Sequence, residues 1–319
     1  MEKQAKIAYL IAAHADPAHL ARMVYMLDHH ADFFIHIDRK QAIEPFTDRI
    51  NGPNIYFLTG RDRVTVHWGG FSQVRATLNL MSRCLAVNKR NTIPYKKVVF
   101  MSGADYPIKP AEYIHHYFDE HREVNFIRGM NITRANAKKY NYCVSNYLFF
   151  DFHTFSSTLT RIIRKVLNVG VNRVAGKPNY ASERGGGRIE LYHGSSWWAL
   201  NVEVIRYICR YAEEHPELSR YFRYSLASDE KFFHTIFFNS RYATTNLFGG
   251  AEPFVPMTAA FANLHIIDPS LQKWFGVNDL EHVIASDKLF VRKVSTRHST
   301  ELLDRIDRIL LQEPQVIER

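Results

Sequence analysis

The stretch from Lys6 to Asp38 constrains the fold more than any other part of this chain. Residues 6–13 (KIAYLIAA) form a short, continuous apolar run, the pattern of a buried strand. His14-Ala15-Asp16-Pro17 breaks the run. Pro17 suits the first turn of a helix, and Leu20, Met23, Val24 and Leu27 give that helix one apolar face. Residues 33–37 (FFIHI) return to strand and stop at Asp38. A strand, a helix and a second strand in this order favour a parallel sheet.

The same alternation continues. Residues 55–58 (IYFL) read as a strand, and 71–87 as a helix with Val74, Leu78, Met81 and Leu85 on one side. Strand 97–101 (KVVFM) leads into the loop SGADYPIKP, then helix 111–120 and strand 124–127. The middle, about 130–193, is less regular. Within it, residues 159–174 fit a basic amphipathic helix, either packed on the core or laid against a membrane surface. The segment Glu183-Arg-Gly-Gly-Gly-Arg188 lacks the GK[ST] of a phosphate loop and reads as a flexible loop. Residues 195–200 read as a strand, 202–214 as a helix, and Ser228 as the cap of a helix from Asp229 to about Phe238. Strand 264–267, helix 279–286, strand 289–294 and a helix over 299–312 follow. With no internal repeat or linker, the expectation is one α/β domain over residues 1–319, with an irregular insertion at about 130–193.

Composition narrows the possibilities. The chain has 319 residues, 46% of them hydrophobic, enough for a large core. The net charge of +9 fits either ordinary solubility or an anionic partner: nucleic acid, an acidic membrane surface or a phosphorylated substrate. Cys84, Cys143 and Cys209 are far apart, so neither a disulfide framework nor a zinc motif is expected. His29-His30 and His115-His116 are adjacent pairs without ligand spacing. The first apolar run is too short for a membrane span or a signal peptide, which points to a cytoplasmic protein.

Ligands of open parallel sheets bind beyond the carboxyl ends of the strands. Ala13-His14, Asp38 and Ser102-Gly103-Ala104-Asp105 fall there. Asp38 can accept hydrogen bonds from a base or ribose, or simply cap a turn. No GxGxxG follows the first strand, which argues against a dinucleotide fold, and no Asp-x-Asp marks a magnesium site. Arg292-Lys293 reads as two exposed charges or as a clamp on a diphosphate. Glu230, in the first turn of its helix, either suits the helix dipole or serves as a general base that the dipole keeps ionised. Trp68 and Trp197 are core residues or apolar platforms for sugar rings.

Taken in order, the segments KIAYLIAAH, FFIHIDRK, VHWGGFSQVRATL, FMSGADYPIKP, NFIRG, HGSSWWALN, ASDEKFFHTIFFNS, LHIID and LFVRKV resemble the core-2/I-branching glycosyltransferase family, which includes the peptide O-xylosyltransferases. The ordered set spans Lys6 to about Val294, and the part around Glu230 looks most like the xylosyltransferase branch. The resemblance implies a GT-A-type fold, a UDP-sugar donor, inversion at the anomeric carbon and no metal or other cofactor. It makes Glu230 the catalytic base and Arg292 and Lys293 the diphosphate pair. It puts Asp38 and Ala13 beside the nucleotide, His67 and Trp68 in the donor segment, Ser196 and Trp197 at donor or acceptor contacts, and Asp105 in a sugar-binding loop. Pro269 stands where the family often has tryptophan, and the spacing to Asp279 departs from the family pattern. The absence of an anchor and of many cysteines fits a compact bacterial relative that builds a surface glycan. The expected acceptor is a hydroxyl on a glycan, a lipid-linked glycan or a protein, with peripheral contact to an anionic membrane. The rival expectation, a basic nucleic-acid-binding protein, leaves the order of the strand-end motifs unexplained, so no nucleic-acid partner is expected.

Overall fold

A computed structural model describes residues 5–133, 138–177, 189–253 and 261–312. The glycine-rich segment 183–188, read above as a flexible loop, lies outside the described residues, as do parts of the expected insertion.

The strands are β1 (Ile7–Ala13), β2 (Ala31–Ile37), β3 (Ile55–Phe57), β4 (Lys97–Ser102), β5 (Asp105–Pro107), β6 (Gly129–Asn131), β7 (Tyr192–Gly194), β8 (Ala199–Leu200), β9 (His265–Ile267) and β10 (Phe290–Arg292). The helices are α1 (Pro17–Leu27), α2 (Glu44–Thr47), α3 (Ser72–Asn88), α4 (Ala111–Glu120), α5 (Lys138–Ser145), α6 (Ser157–Val174), α7 (Val202–Glu214), α8 (Pro216–Phe222), α9 (Asp229–Phe238), α10 (Leu280–Ile284) and α11 (Thr296–Gln312).

The central sheet has the order β3-β2-β1-β4-β8. Its β1–β2, β1–β4 and β2–β3 pairs are parallel, and β8 joins β4 antiparallel. A smaller sheet, β5-β10-β9, sets Arg292 opposite Asp105 in its antiparallel pair. A third pairs β6 with β7.

Alternate residues of each central strand feed two cores. Ala8, Leu10, Phe34, Val98 and Phe100 pack with Val74, Leu80, Ile205, Ile208 and Phe232 on the α3, α7 and α9 side. Ile7, Tyr9, Ile11, Phe33, Ile35 and Val99 pack with Leu20, Met23, Ile114, Phe118, Leu302 and Ile306 on the α1, α4 and α11 side. Burial on both faces is why the strands read as unbroken apolar runs. The result is a mixed α/β architecture with a mainly parallel central sheet flanked by helices, the expected fold class.

Three local expectations change. Residues 124–127 form no strand of their own; Phe126 makes a single bridge to Ala199. Of 195–200, only Ala199–Leu200 is strand. Ser228 does not cap α9: its backbone is already helical, and its hydroxyl donates backwards to the carbonyls of Phe222 (2.8 Å) and Ser225 (3.1 Å).

Candidate functional site

The carboxyl end of the central sheet gathers three of the expected segments. The Asp38 N–H donates to the Ala13 carbonyl (2.9 Å), and the Gly103 N–H to that of Ala12 (3.0 Å). A Cβ on Gly103 would fall 2.7 Å from that of Ala13, so only glycine lets the loop after β4 lie this close to the end of β1. The Asp38 side chain turns inward. Its carboxylate accepts from the backbone N–H groups of Lys40 (3.0 Å) and Val66 (3.2 Å) and pairs with the Lys40 ammonium (3.2 Å). Asp38 therefore caps its own turn and ties it to the segment leading into His67.

Asp105 differs most from its expected place. It is fully buried, so its carboxylate does not face the space a sugar could fill. One oxygen takes the Arg292 guanidinium (2.7 Å) and the Ser102 hydroxyl (2.8 Å); the other takes the Ser102 N–H (2.7 Å) and lies 3.4 Å from His265 Nε2. His19 Nε2 meets its carbonyl at 3.0 Å. Burial alone would push the Asp105 carboxyl up, but Arg292 and His265 outweigh it and hold it well below the ordinary carboxylate range. Arg292, so anchored, also contacts the Ser102 hydroxyl and lies over the Trp197 ring, 4.1 Å from its centroid. Trp197 in turn stacks on Phe100. Lys293 follows at the end of β10, half-buried, with its ammonium pKa lowered by burial and by Arg292. The two cations are not a pair of loose surface charges.

Glu230 stands in the first turn of α9, its side chain 25% exposed and Oε2 3.8 Å from Nδ1 of buried His193. Its neighbour Asp229, also part-buried, has partners of its own. Asp229 accepts a hydrogen bond from the Ser196 hydroxyl (2.6 Å) and lies 3.5 Å from Gln73 Nε2. Burial raises the Asp229 carboxyl, and the Ser196 hydrogen bond opposes that rise. The buried Lys231 ammonium holds the carbonyls of Leu226 (3.0 Å) and Ala227 (3.1 Å), fixing the turn before α9. The Ala227 N–H reaches the Gly69 carbonyl (2.9 Å), so the turn leans on the WGG segment.

That segment shows one of its aromatic residues to solvent. Trp68 is 80% exposed and meets Phe150 edge-on, so core packing is not its place. His67 stacks on His153 with ring centroids 3.6 Å apart. Asp151 accepts from both the N–H (3.0 Å) and the hydroxyl (2.5 Å) of Ser72 and so caps α3.

Part of the expected set is thus joined through Asp229: Asp229, next to Glu230 in the first turn of α9, to Ser196, Ser196 beside Trp197 in the chain, Trp197 under Arg292, and Arg292 to Asp105, while His67 and Trp68 pack against His153 and Phe150. Asp229 and His265 had not been singled out, and Ser102 was named only as the start of its strand-end segment. The adjacent acids Asp229-Glu230 were a visible signal for the first. His265 could be found only through the parallel pairing of β10 with β9. Among the described residues, no three His, Cys, Asp or Glu side chains converge in a way that could hold a metal ion.

Residues 7–250 match the family model described as Core-2/I-Branching enzyme. The chain is similar to xylosyltransferase 1 of Rattus norvegicus, with 22% identity over 250 residues, covering 75% of this chain and 27% of that protein. It is also similar to the xylosyltransferase of Ciona intestinalis, with 25% identity over 252 residues, covering 74% of this chain and 25% of that protein. Xylosyltransferase 2 of Homo sapiens is 24% identical over 246 residues, covering 74% and 25%. The chain spans about a quarter of the length of these relatives. The family match covers the central sheet, the WGG segment and Glu230, and on that extent the chain belongs to the Core-2/I-branching enzyme family.

Proposed function

We propose that this protein is a glycosyltransferase of GT-A type that moves a sugar, N-acetylglucosamine or xylose, from UDP to a hydroxyl acceptor with inversion and without a metal ion. The observation that carries this reading is the contact line from Asp229 through Ser196 and Trp197 to Arg292, which ties the first turn of α9, where Glu230 stands, to an anchored cation at the sheet's carboxyl end.

On this reading the acceptor hydroxyl attacks the anomeric carbon from the face opposite UDP, and Glu230 takes its proton as the new bond forms. The transition state has oxocarbenium character, as in glycosidases. Negative charge grows on the leaving diphosphate, and Arg292 and Lys293 balance it, doing what a divalent cation does elsewhere. Trp197 and Asp105 hold the Arg292 guanidinium in one orientation before the donor arrives, so little reorganisation is needed as charge develops. Ala13 and the Asp38 turn border the nucleotide, and His67, Trp68 and Ser196 border the sugar and acceptor. The reading extends to a surface glycan, with the acceptor hydroxyl on a glycan, a lipid-linked glycan or a protein.

Glu230→Gln tests it. Turnover should fall about a hundredfold or more, the usual size of general-base catalysis, while the affinity for UDP measured by calorimetry stays near that of the parent. Near-full turnover in the variant would remove Glu230 from the role.

A further inference from the structure

α6 is built differently from the other long helices. In α7, Val202, Val204, Ile205 and Ile208 are buried, as in any helix that serves a core. In α6 only Thr160 is buried. Ile162, Val166 and Val169, spaced four and three apart, share one face, and that face is exposed, with Val166 at 66%. Just before the helix, Phe155 is 98% exposed. Cations flank the stripe: Arg161, Lys165 and Arg173 are all exposed. No acidic residue occurs anywhere between Phe152 and Lys177.

Beside the helix runs an open groove of about 540 Å³. Arg161, Arg164 and Lys165 line it together with Tyr142, Phe149 and Phe150, and no carboxylate does. Arg164 is fixed in place, donating to the carbonyls of Phe152 (2.9 Å) and Phe150 (2.8 Å). An exposed apolar stripe, an acid-free cationic border and a groove that joins cations to aromatic walls are the features of a surface that lies at a lipid–water interface.

We propose that the outer face of α6 docks on an anionic lipid bilayer, with Phe155, Ile162, Val166 and Val169 entering the headgroup layer and Arg161, Lys165 and Arg173 contacting lipid phosphates. The residues leading into α6 also touch the candidate site: His153 stacks on His67, and Phe150 meets Trp68. A docked α6 therefore sets the exposed Trp68 near the membrane and favours a lipid-borne acceptor. That last consequence rests on the glycosyltransferase reading; the docking does not.

Flotation of the whole chain with vesicles tests the proposal. The protein should float with phosphatidylcholine–phosphatidylglycerol vesicles, much less with phosphatidylcholine alone, and should be released by salt. Exchanging Arg161, Lys165 and Arg173 together for serine should weaken partitioning on the order of a hundredfold, about fivefold for each cation near the surface. Ile162→Ser with Val166→Ser should weaken it as well. Both variants should keep the parent's thermal transition and its UDP affinity, since these side chains lie outside the cores and the candidate site. Several results would overturn the proposal: no flotation of the parent on anionic vesicles, flotation unchanged in both variants, or light scattering showing that the same apolar face joins two copies of the chain. Binding of an oligonucleotide through the three cations, with no vesicle binding, would assign the face to nucleic acid instead. A chain that floats but never turns over a UDP-sugar would leave the docking standing and fault the proposed activity.

Discussion

Asp105 shows how a residue can matter to a site that it does not face. Its carboxylate spends its hydrogen-bonding capacity on Arg292, Ser102 and His265. Removing the charge would leave a mostly enclosed guanidinium without its counter-ion, and breaking a buried pair from one side costs about 3–5 kcal/mol. Asp105→Asn should therefore lower the thermal midpoint and, by freeing Arg292 from its orientation, raise the KM for the sugar donor. An unchanged donor KM would separate Asp105 from the site. The pH dependence carries a definite sign. The folded-state pKa of Asp105 lies below its ordinary value of 3.8. The stabilisation is thus fully present above that value and is lost as pH falls through the lower folded one. Acid titration of the parent should show a loss of stability below about pH 4 that Asp105→Asn lacks. Sequence spacing put Asp105 at the right loop but could not show which way its side chain turns. That direction is set by β5 pairing with β10, a contact between residues far apart in the chain.

At the scale of elements, legibility followed burial. β1, β2, β4, α3, α4 and α7 could be read almost to their ends because each presents an unbroken apolar run or a clear helical face to a core. Residues 124–127 make only the isolated bridges Asn125–Asn246 and Phe126–Ala199, and of 195–200 only Ala199–Leu200 reaches the β4 ladder, so strand propensity there found little to pair with. β5 read as a loop because Gly103 lies just before it and Pro107 is one of its three residues. α8 was missed although Pro216 stands in its first turn. The WGG segment explains its second glycine only in three dimensions: a Cβ on Gly70 would lie 2.0 Å from Asp151 Oδ1. Gly70→Ala must displace the carboxylate that caps α3, and overpacking of this kind costs about 1–3 kcal/mol. The midpoint of thermal unfolding should fall accordingly, with a loss of donor affinity because His67 and Trp68 sit on the same turn. A midpoint equal to the parent's would mean that the loop gives way freely and that Asp151 does not brace it.

For the whole molecule, two cores on the faces of one mainly parallel sheet leave its carboxyl end as the meeting place of elements from both halves of the chain. Ala13 and Asp38 arrive from the first βαβ unit, Asp105 from the loop after β4, Trp197 and Glu230 from the middle, and Arg292 and Lys293 from the last strand. Local patterns marked these positions as turn caps, surface charges and helix-end acids, and only their order along the chain linked them to one family. The long connections that bring them together are why no short motif announces the site. In the proposed sugar transfer, Arg292 and Lys293, rather than a metal, carry the diphosphate charge. The most direct measurement is UDP release from UDP-N-acetylglucosamine and UDP-xylose in EDTA, comparing the parent with Arg292→Ala and Lys293→Ala. Release from one of these donors should survive EDTA and fall at least about tenfold in each variant, the loss of an interaction of roughly 1.4 kcal/mol or more with the transition state. Release abolished by EDTA and restored by manganese, or unaffected by both substitutions, would contradict the proposal.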